Sequence, residues 1–397
     1  MSQREPDLPY GRQWIDDADA EAVAEALRSP RIAHGPRVAA FEAAFAEAVG
    51  AGHAVACSSG TAALHLALAA LDVREGDICV VPATTFLATA TAARFCGAEV
   101  AFVDVDPETG LMTPETLGTA VAEAGPAARA VLPVHLGGRL CDMPAISAAA
   151  RSRGLQVVED ACHALGGTDA AGTKVGASHF SEAAAFSVHP VKIIAAGEGG
   201  LITTGDAARA GRMRRLRNHG VTADPALFTN PGLSLSEDGA VNPWSYEQIE
   251  LGFNYRMNEL EAALGLSQLA KLERFVHRRL ELSRLYDERL RRLEPVVRPI
   301  PRGGGRPGMH LYQVLIDFDA AGVPRSQVIR GMAEKGVQTQ VHYIPLYRQP
   351  YFRGRYGDMS LPGAEAFYAR VLALPLFPAM VDADVDRVVD KLEAALG

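Results

Sequence analysis

Residues 183–204, AAAFSVHPVKIIAAGEGGLITT, set a lysine between two short apolar strands, AAAFS (183–187) and LITT (201–204). The loop that carries it is bounded by Pro190 and by Gly197, Gly199 and Gly200. Most lysines ride on exposed helices, so Lys192, flanked by Ile193 and Ile194, is out of place as a surface charge. Desolvation in such a loop lowers an amine's pKa and supplies the neutral nitrogen that a Schiff base requires. The competing reading is a lysine that snorkels out of a buried turn.

Outward from this loop, the chain alternates helical patterns with further apolar runs: AVAC (54–57), ICVV (78–81), VAFV (100–103), AVLPV (130–134) and QVVE (156–159). Seven strands in this alternation predict an α/β fold, a seven-stranded, mostly parallel sheet with helices on both faces. Residues 258–293 are highly charged with helical periodicity and predict one long amphipathic helix leaving the sheet. After the Gly/Pro-rich segment 299–308, strand-like HLYQVLIDF (310–318) and helices over 326–335 and 382–396 predict a smaller α/β unit. The expected division is a large domain with its N-terminal segment, 1–255, and a bridging helix with a small C-terminal domain, 256–397.

With 48% hydrophobic and 22% charged residues over 397 positions, the chain can bury a large core. A formal charge of -8 argues against a nucleic-acid partner, which calls for a basic surface. The local run Arg212, Arg214, Arg215 and Arg217 reads as a solvated helix face ahead of an anion site. Five cysteines stand singly without metal-ligand spacing, which fits a reducing cytosol and no metal. Met1–Tyr10 is polar and no apolar run is long enough to span a membrane, so a cytoplasmic protein is expected.

Two more segments bear chemistry. Cys57-Ser58-Ser59-Gly60-Thr61-Ala62 leads from a strand into a helix, whose free N–H groups, beside a glycine and hydroxyls, would cradle a phosphate. The same cluster also reads as an ordinary N-cap. Glu159-Asp160 closes an apolar strand, where open α/β sheets place ligand-binding groups. A carboxylate there could pair with the protonated ring nitrogen of a pyridine cofactor, although an Asp after a strand is also a common turn residue. His163 lies three residues on, as a ring-facing group or a structural histidine. The order of phosphate cradle, ring carboxylate and lysine, each at a strand end, is more specific than any one of them.

These residues resemble the DegT/DnrJ/EryC1/StrS sugar aminotransferases, a branch of the fold-type-I enzymes dependent on pyridoxal 5'-phosphate (PLP). The matching stretches are SSGTAALHLAL (58–68), VPATTFLATA (81–90), FVDVDPET (102–109), LPVHLGG (132–138), VVEDACHALGG (157–167), FSVHPVKIIAAGEGG (186–200), LRNHG (216–220) and LGFNYRMNELEAALGLSQL (251–269). The resemblance implies Lys192 as the Schiff-base lysine and Asp160 as partner of the pyridine nitrogen. It implies His163 beside the phenolic oxygen, Phe86 stacked on the ring, and Gly60, Thr61, Ala62 and Ser187 about the phosphate. Asn254 is implied to reach the phosphate held by a neighbouring subunit, giving a homodimer with shared sites. Arg256 is a candidate for the sugar nucleotide, and His310, His342 and Tyr343 for the sugar pocket, with packing an equal reading for the last three.

Within the family the similarity is greatest to enzymes that form UDP-4-amino-4,6-dideoxy-N-acetyl-β-L-altrosamine, in pseudaminic acid biosynthesis. It is carried by YGRQWIDDADAEAVAEAL (10–27), SVHPVKII (187–194) and GVQTQVHYIPLYRQPYF (336–352). The implied reactants are a UDP-linked 4-keto-6-deoxy sugar and L-glutamate, the latter released as 2-oxoglutarate; another UDP-, GDP- or dTDP-linked 4-keto or 3-keto sugar is the alternative. Ala195-Ala196 stands where relatives commonly have Thr-Thr, and if those hydroxyls touch substrate or cofactor a hydrogen bond is missing here. Three rivals remain. A related dehydratase would replace Lys192 with His, a silent sensor or scaffold would tend to lose Lys192 or Asp160, and a nicotinamide enzyme would need G-x-G-x-x-G in the first βα turn, which reads CSSGTAA.

Overall fold

A computed structural model of the chain describes residues 6–397. The polar start read over Met1–Tyr10 therefore lies partly outside the described residues. Seven strands form the main sheet: β1 (His53–Cys57), β2 (Ile78–Pro82), β3 (Glu99–Val103), β4 (Ala128–Val131), β5 (Gln156–Asp160), β6 (Ala183–Ser187) and β7 (Gly200–Thr204). Their order is β1-β7-β6-β5-β4-β2-β3. The run from β6 through β5, β4 and β2 to β3 is parallel, and β7 is antiparallel to both β1 and β6. Helices cover both faces, which is why the strands read as continuous apolar runs rather than alternating ones. All seven expected strands are present. The run AVLPV differs, because pairing in β4 ends at Val131: Pro133 has no N–H to donate and instead accepts from the Asp160 amide.

This order places the C-terminal ends of β1, β2, β5 and β6, and the start of β7, along one edge of the sheet. Cys57 and Ser187 both register against Gly200. A Cβ on Gly200 would come within 2.3 Å of the Ser59 carbonyl oxygen, so only glycine lets the first βα turn lie this close to the strand leaving the lysine loop.

The single helix expected over 258–293 is two helices, Glu259–Leu269 and Leu272–Leu290, with Lys271 between them at φ -103°, ψ 2°. Helical periodicity continues across the break, but tertiary contacts hold it open. Lys271 pairs with Asp16 and, at 2.8 Å, with Asp19. Gln268 donates to Asp19 and to the Trp14 carbonyl from the turn just before. The second helix packs Leu282, Tyr286 and Leu290 against a three-stranded antiparallel sheet. With the two-residue pair β8 (Val221–Thr222) and β9 (Glu247–Gln248) counted first, its strands are β10 (Val297–Pro299), β11 (Tyr312–Ile316) and β12 (Val371–Leu374).

The Arg212–Arg217 run is not a freely solvated face. Arg212 and Arg215 pair with Glu250, Arg212 also with Asp72, and Arg214 and Arg217 with buried Glu42. Ala195 and Ala196 are buried in the wall behind the lysine loop, and their amides bond to Gln268 and the Val188 carbonyl. Neither lines a cleft.

Arg279 ties the two sheets together. Only 1% exposed, it donates through Nη1 to the carbonyls of His310 (3.1 Å) and Leu376 (2.9 Å), and through Nη2 to that of Lys192 (3.4 Å). Truncating it strands these carbonyls and opens a void. We expect Arg279→Ala to lower the unfolding free energy by about 2–4 kcal/mol, read as a reduced midpoint in urea.

Candidate active site

The sheet edge opens into a cleft of about 530 Å³. At the end of β1, Ser59 caps the helix Gly60–Ala70 by accepting from the Ala62 amide at 3.1 Å. That bond takes up the Ala62 N–H, and Ala62 does not line the cleft. The first-turn amides of Gly60 and Thr61 have no helical partner and sit at the positive end of the helix, on the cleft wall. A Cβ on Gly60 would meet Ser187 Cβ at 2.8 Å and Cys162 Sγ at 3.3 Å, so glycine here brings the turn onto the end of β6. Ser187 lines the same end of the cleft.

At the end of β5, side chains alternate between the sheet's faces. Asp160 points into the cleft, where Oδ2 accepts from Thr89 Oγ1 at 2.7 Å and Oδ1 from the Cys162 amide at 3.2 Å. Thr85 and Thr89 share a further bond at 2.8 Å, so a buried hydroxyl pair steadies the carboxylate. Glu159 faces the opposite way. It pairs with His135 at 3.0 Å and accepts from Ser181 at 2.5 Å, away from the cleft.

His163 is buried on the cleft wall. Its Nδ1 accepts from the Gly137 amide at 3.2 Å, so the neutral ring carries its proton on Nε2, which lies 3.4 Å from the Tyr343 hydroxyl. Burial, together with the charge of Lys192, holds its pKa well below the usual histidine value, so the ring is a neutral donor. Phe86 lines the cleft with 51% of its surface exposed, its ring centroid 5.9 Å from that of Tyr343.

Lys192 enters the cleft from the β6–β7 loop, held by a turn in which its amide bonds to the His189 carbonyl. Burial lowers its pKa, and neighbouring Cys162 and Asp160 offset this only in part. A lowered pKa puts the neutral, nucleophilic amine at a lower pH than in an exposed lysine. With an amine-directed reagent and the cofactor-free chain, Lys192 should be modified with a pH midpoint below that of a free lysine side chain in a short peptide, as peptide mapping would show.

His310, His342 and Tyr343 also line the cleft. Asn254 and Arg256 do not. They lie in a separate surface hollow with Arg214, Arg217 and Asn218, where Arg256 donates to Asn218 at 2.7 Å. Sequence reasoning missed Tyr10, Thr85, Cys162, Gln340 and Gln349 on the cleft wall, and Thr89 behind Asp160. Tyr10, Cys162, Gln340 and Gln349, with both threonines, fall within the stretches quoted above, but nothing in residue type or spacing sets them apart.

The parts fit a phosphorylated pyridine aldehyde. There are free amides at a helix start that only glycine lets lie so close to the strand, a carboxylate fixed by two hydrogen bonds, an exposed aromatic ring and an amine of lowered pKa. Among the described residues no group of His, Cys, Asp and Glu is placed to hold a metal, and no helix is long and apolar enough to cross a membrane.

Residues 13–393 match the DegT/DnrJ/EryC1/StrS aminotransferase family. The chain is 38% identical to the spore coat polysaccharide biosynthesis protein SpsC of Bacillus subtilis, over 99% of this chain and 98% of that one. Helicobacter pylori PseC, an aminotransferase of pseudaminic acid biosynthesis, superposes with a TM-score of 0.88 at 25% identity, covering 98% of this chain and 99% of PseC. The sugar aminotransferase Spr1654 of Streptococcus pneumoniae, described as putative and solved in its PLP form, gives 0.86 at 25% identity over 98% of both chains.

Proposed function

This chain belongs to the DegT/DnrJ/EryC1/StrS aminotransferase family, and from that premise we propose which amino group it moves, and onto what. The donor is L-glutamate. The acceptor is UDP-2-acetamido-2,6-dideoxy-β-L-arabino-hex-4-ulose, and the product is UDP-4-amino-4,6-dideoxy-N-acetyl-β-L-altrosamine, formed in the cytoplasm on the way to pseudaminic acid. The observation that carries the chemistry is that Lys192 and Asp160 open into one cleft with the Gly60 turn. Likeness to PseC over the whole chain supports the substrate.

In this reading Lys192 Nζ would hold PLP through its aldehyde carbon, and Asp160 would keep the ring nitrogen protonated. His163 Nε2 would donate to the phenolic oxygen, Phe86 would cover the ring, and Gly60, Thr61 and Ser187 would surround the phosphate, with Ala62 set back from it by its bond to Ser59. When bound, PLP supplies an electron sink for the carbon that bears the nitrogen. Lys192 Nζ, as a free amine beside the bound donor, would take the proton from the donor's Cα and would deliver one to the sugar carbon when the sugar is aminated. Residues 1–255 hold the cofactor, and 256–397 bring His310, His342 and Tyr343 to the sugar side, with Arg256 toward the nucleotide. The direct test supplies the PLP-loaded enzyme with L-glutamate and separate UDP-, GDP- and dTDP-linked keto sugars. Highest kcat/KM with the UDP-4-keto substrate supports this reading, and a higher value with another sugar replaces it.

Asn254, outside its own chain's cleft, is assigned to the phosphate held by a second subunit of a homodimer. Dissociating and remixing Lys192→Ala with Asn254→Ala chains then creates dimers with one intact site. Random reassortment should restore activity to about a quarter of wild type, in assays where each variant alone is feeble.

A further inference from the structure

When an amine adds to a ketone, the carbonyl electron pair moves onto oxygen, and that oxygen leaves as water. Lys192, as a free amine, handles protons at carbon. The growing charge on oxygen calls for a separate hydrogen-bond donor, one whose proton is not already spent inside the protein.

The polarity of one chain of groups on the cleft wall identifies such a proton. The chain starts at the Gly137 amide, which can only donate, and ends at Tyr343. Gly137 N–H fills His163 Nδ1 at 3.2 Å, so the single proton of the neutral ring is on Nε2, 3.4 Å from the Tyr343 hydroxyl. Whether Nε2 donates to the Tyr343 oxygen or to a ligand oxygen, His163 has no lone pair left to accept the Tyr343 proton. Among the described residues no other group lies within hydrogen-bond reach of that hydroxyl. Its O–H is therefore an unspent donor on a ring packed 5.9 Å from Phe86 and 6.2 Å from His163, between centroids. Burial, with Asp160, Tyr10 and Cys162 around it, pushes its pKa up, so the proton stays on oxygen. Tyr343 and those three neighbours all line the cleft.

The cleft's other polar groups are less suited. Thr85 gives its proton to Thr89, whose own goes to Asp160. Asp160 and Glu198 are carboxylates, which accept and do not donate. Gln340 is exposed at the rim. Tyr10 has a ring contact with His342, but no partner among the described residues aims its hydroxyl. In the transamination reading His163 meets the cofactor's phenolic oxygen, and neighbouring ring atoms bear that oxygen and the aldehyde carbon. A hydroxyl beside His163 Nε2 is thus beside the place where nitrogen changes hands.

We propose that Tyr343 is a catalytic residue that gives its hydroxyl hydrogen bond to the carbonyl oxygen of the reacting ketone. The amine's electron pair forms the C–N bond, the C=O pair moves to the oxygen held by Tyr343, and the amine's two protons leave with that oxygen as water. Tyr343 keeps its proton throughout. The same donor serves the keto sugar and, in the reverse of the donor step, 2-oxoglutarate. This deepens the transamination reading and rests on it.

Tyr343→Phe keeps the ring and removes the hydroxyl. Enzyme loaded with the amine form of the cofactor should then react with the UDP-4-keto sugar and with 2-oxoglutarate about 10²-fold more slowly than wild type, as when one donor to a developing oxyanion is lost. Exchange of the Cα hydrogen of L-glutamate with solvent deuterium, on the PLP-loaded enzyme, involves no carbonyl oxygen and should change by less than about threefold. A merely structural tyrosine would slow both alike. A readout without cofactor is nitrogen NMR of the histidine-labelled chain. There His163, identified by the signals lost in His163→Gln, should be neutral and protonated on Nε2. If Tyr343→Phe does not fold, a fluorinated tyrosine in place of Tyr343 keeps the hydroxyl but makes it more acidic, and should change the carbonyl reactions by more than about threefold while exchange stays within that range.

The proposal is overturned if exchange falls as far as the carbonyl reactions, if neither falls, or if Tyr10→Phe or His342→Gln gives the selective loss instead. It is also overturned if His163 carries its proton on Nδ1. Wild type that reacts with 2-oxoglutarate and with no keto sugar refutes the sugar assignment alone, and Tyr343 is then judged on 2-oxoglutarate. Wild type inert toward every carbonyl refutes the transamination reading, and the proposal falls with it.

Discussion

Lys192→Ala is expected to abolish turnover, with kcat lower by on the order of 10⁴ or more, since both the covalent tether and the proton carrier are lost. The band at about 410–430 nm, where protonated Schiff bases of PLP absorb, should be missing from the purified variant. Cofactor should still bind, more weakly, because the Gly60 turn, Asp160 and Phe86 are untouched. A small primary amine added to the variant should restore part of the proton transfer. Rescue of that kind separates a missing catalytic nitrogen from a damaged fold, which no added amine repairs. An unchanged band in Lys192→Ala would refute the assignment.

The second large effect is expected at Asp160. Asp160→Asn should slow the glutamate half-reaction by on the order of 10²–10³, because a neutral amide does not hold a proton on the ring nitrogen and the charge developing at carbon loses its sink. A structural cost adds to this. The carboxylate accepts from Thr89 on one oxygen and from the Cys162 amide on the other. An amide has one acceptor, so one of these donors would face an N–H. Thr89→Val removes one of the two bonds and keeps the charge, and should cost no more than about tenfold. The two variants together separate charge from placement. Equal losses in single-turnover rates would mean that position, rather than charge, is what Asp160 contributes.

Strands were legible because helices on both faces force apolar runs, and the seven segments need no knowledge of their neighbours. Their order was not legible, since β7 between β1 and β6 is fixed by pairing across the chain. The site's three anchors, Gly60, Asp160 and Lys192, could be read because each breaks a local pattern at a strand end. Thr89, two residues into the helix Leu87–Phe95, breaks none. Its role depends on which helix lies over which strand. The broken helix at Lys271 has the same cause. Nothing nearby in sequence interrupts the periodicity, and the residues that hold the break open, Asp16 and Asp19, come from the other end of the chain.

The placement of β1 also bears on how the chain is made. Strand β1 sits at the end of the sheet and pairs with β7 alone, His53 against Thr204. On the ribosome it therefore emerges with no partner, and its edge of unpaired N–H and C=O groups, with its apolar side chains, stays open until Gly200–Thr204 leaves the exit tunnel. Pairing so distant in sequence is slow to form and leaves a sticky edge in the meantime. Nascent chains halted before residue 200 should accordingly be held by chaperones and remain open to protease at the Ser58–Thr61 turn, while those a few tens of residues past β7 become resistant. The turn proposed to grip the phosphate and the lysine proposed to grip the aldehyde would then mature in one step of synthesis.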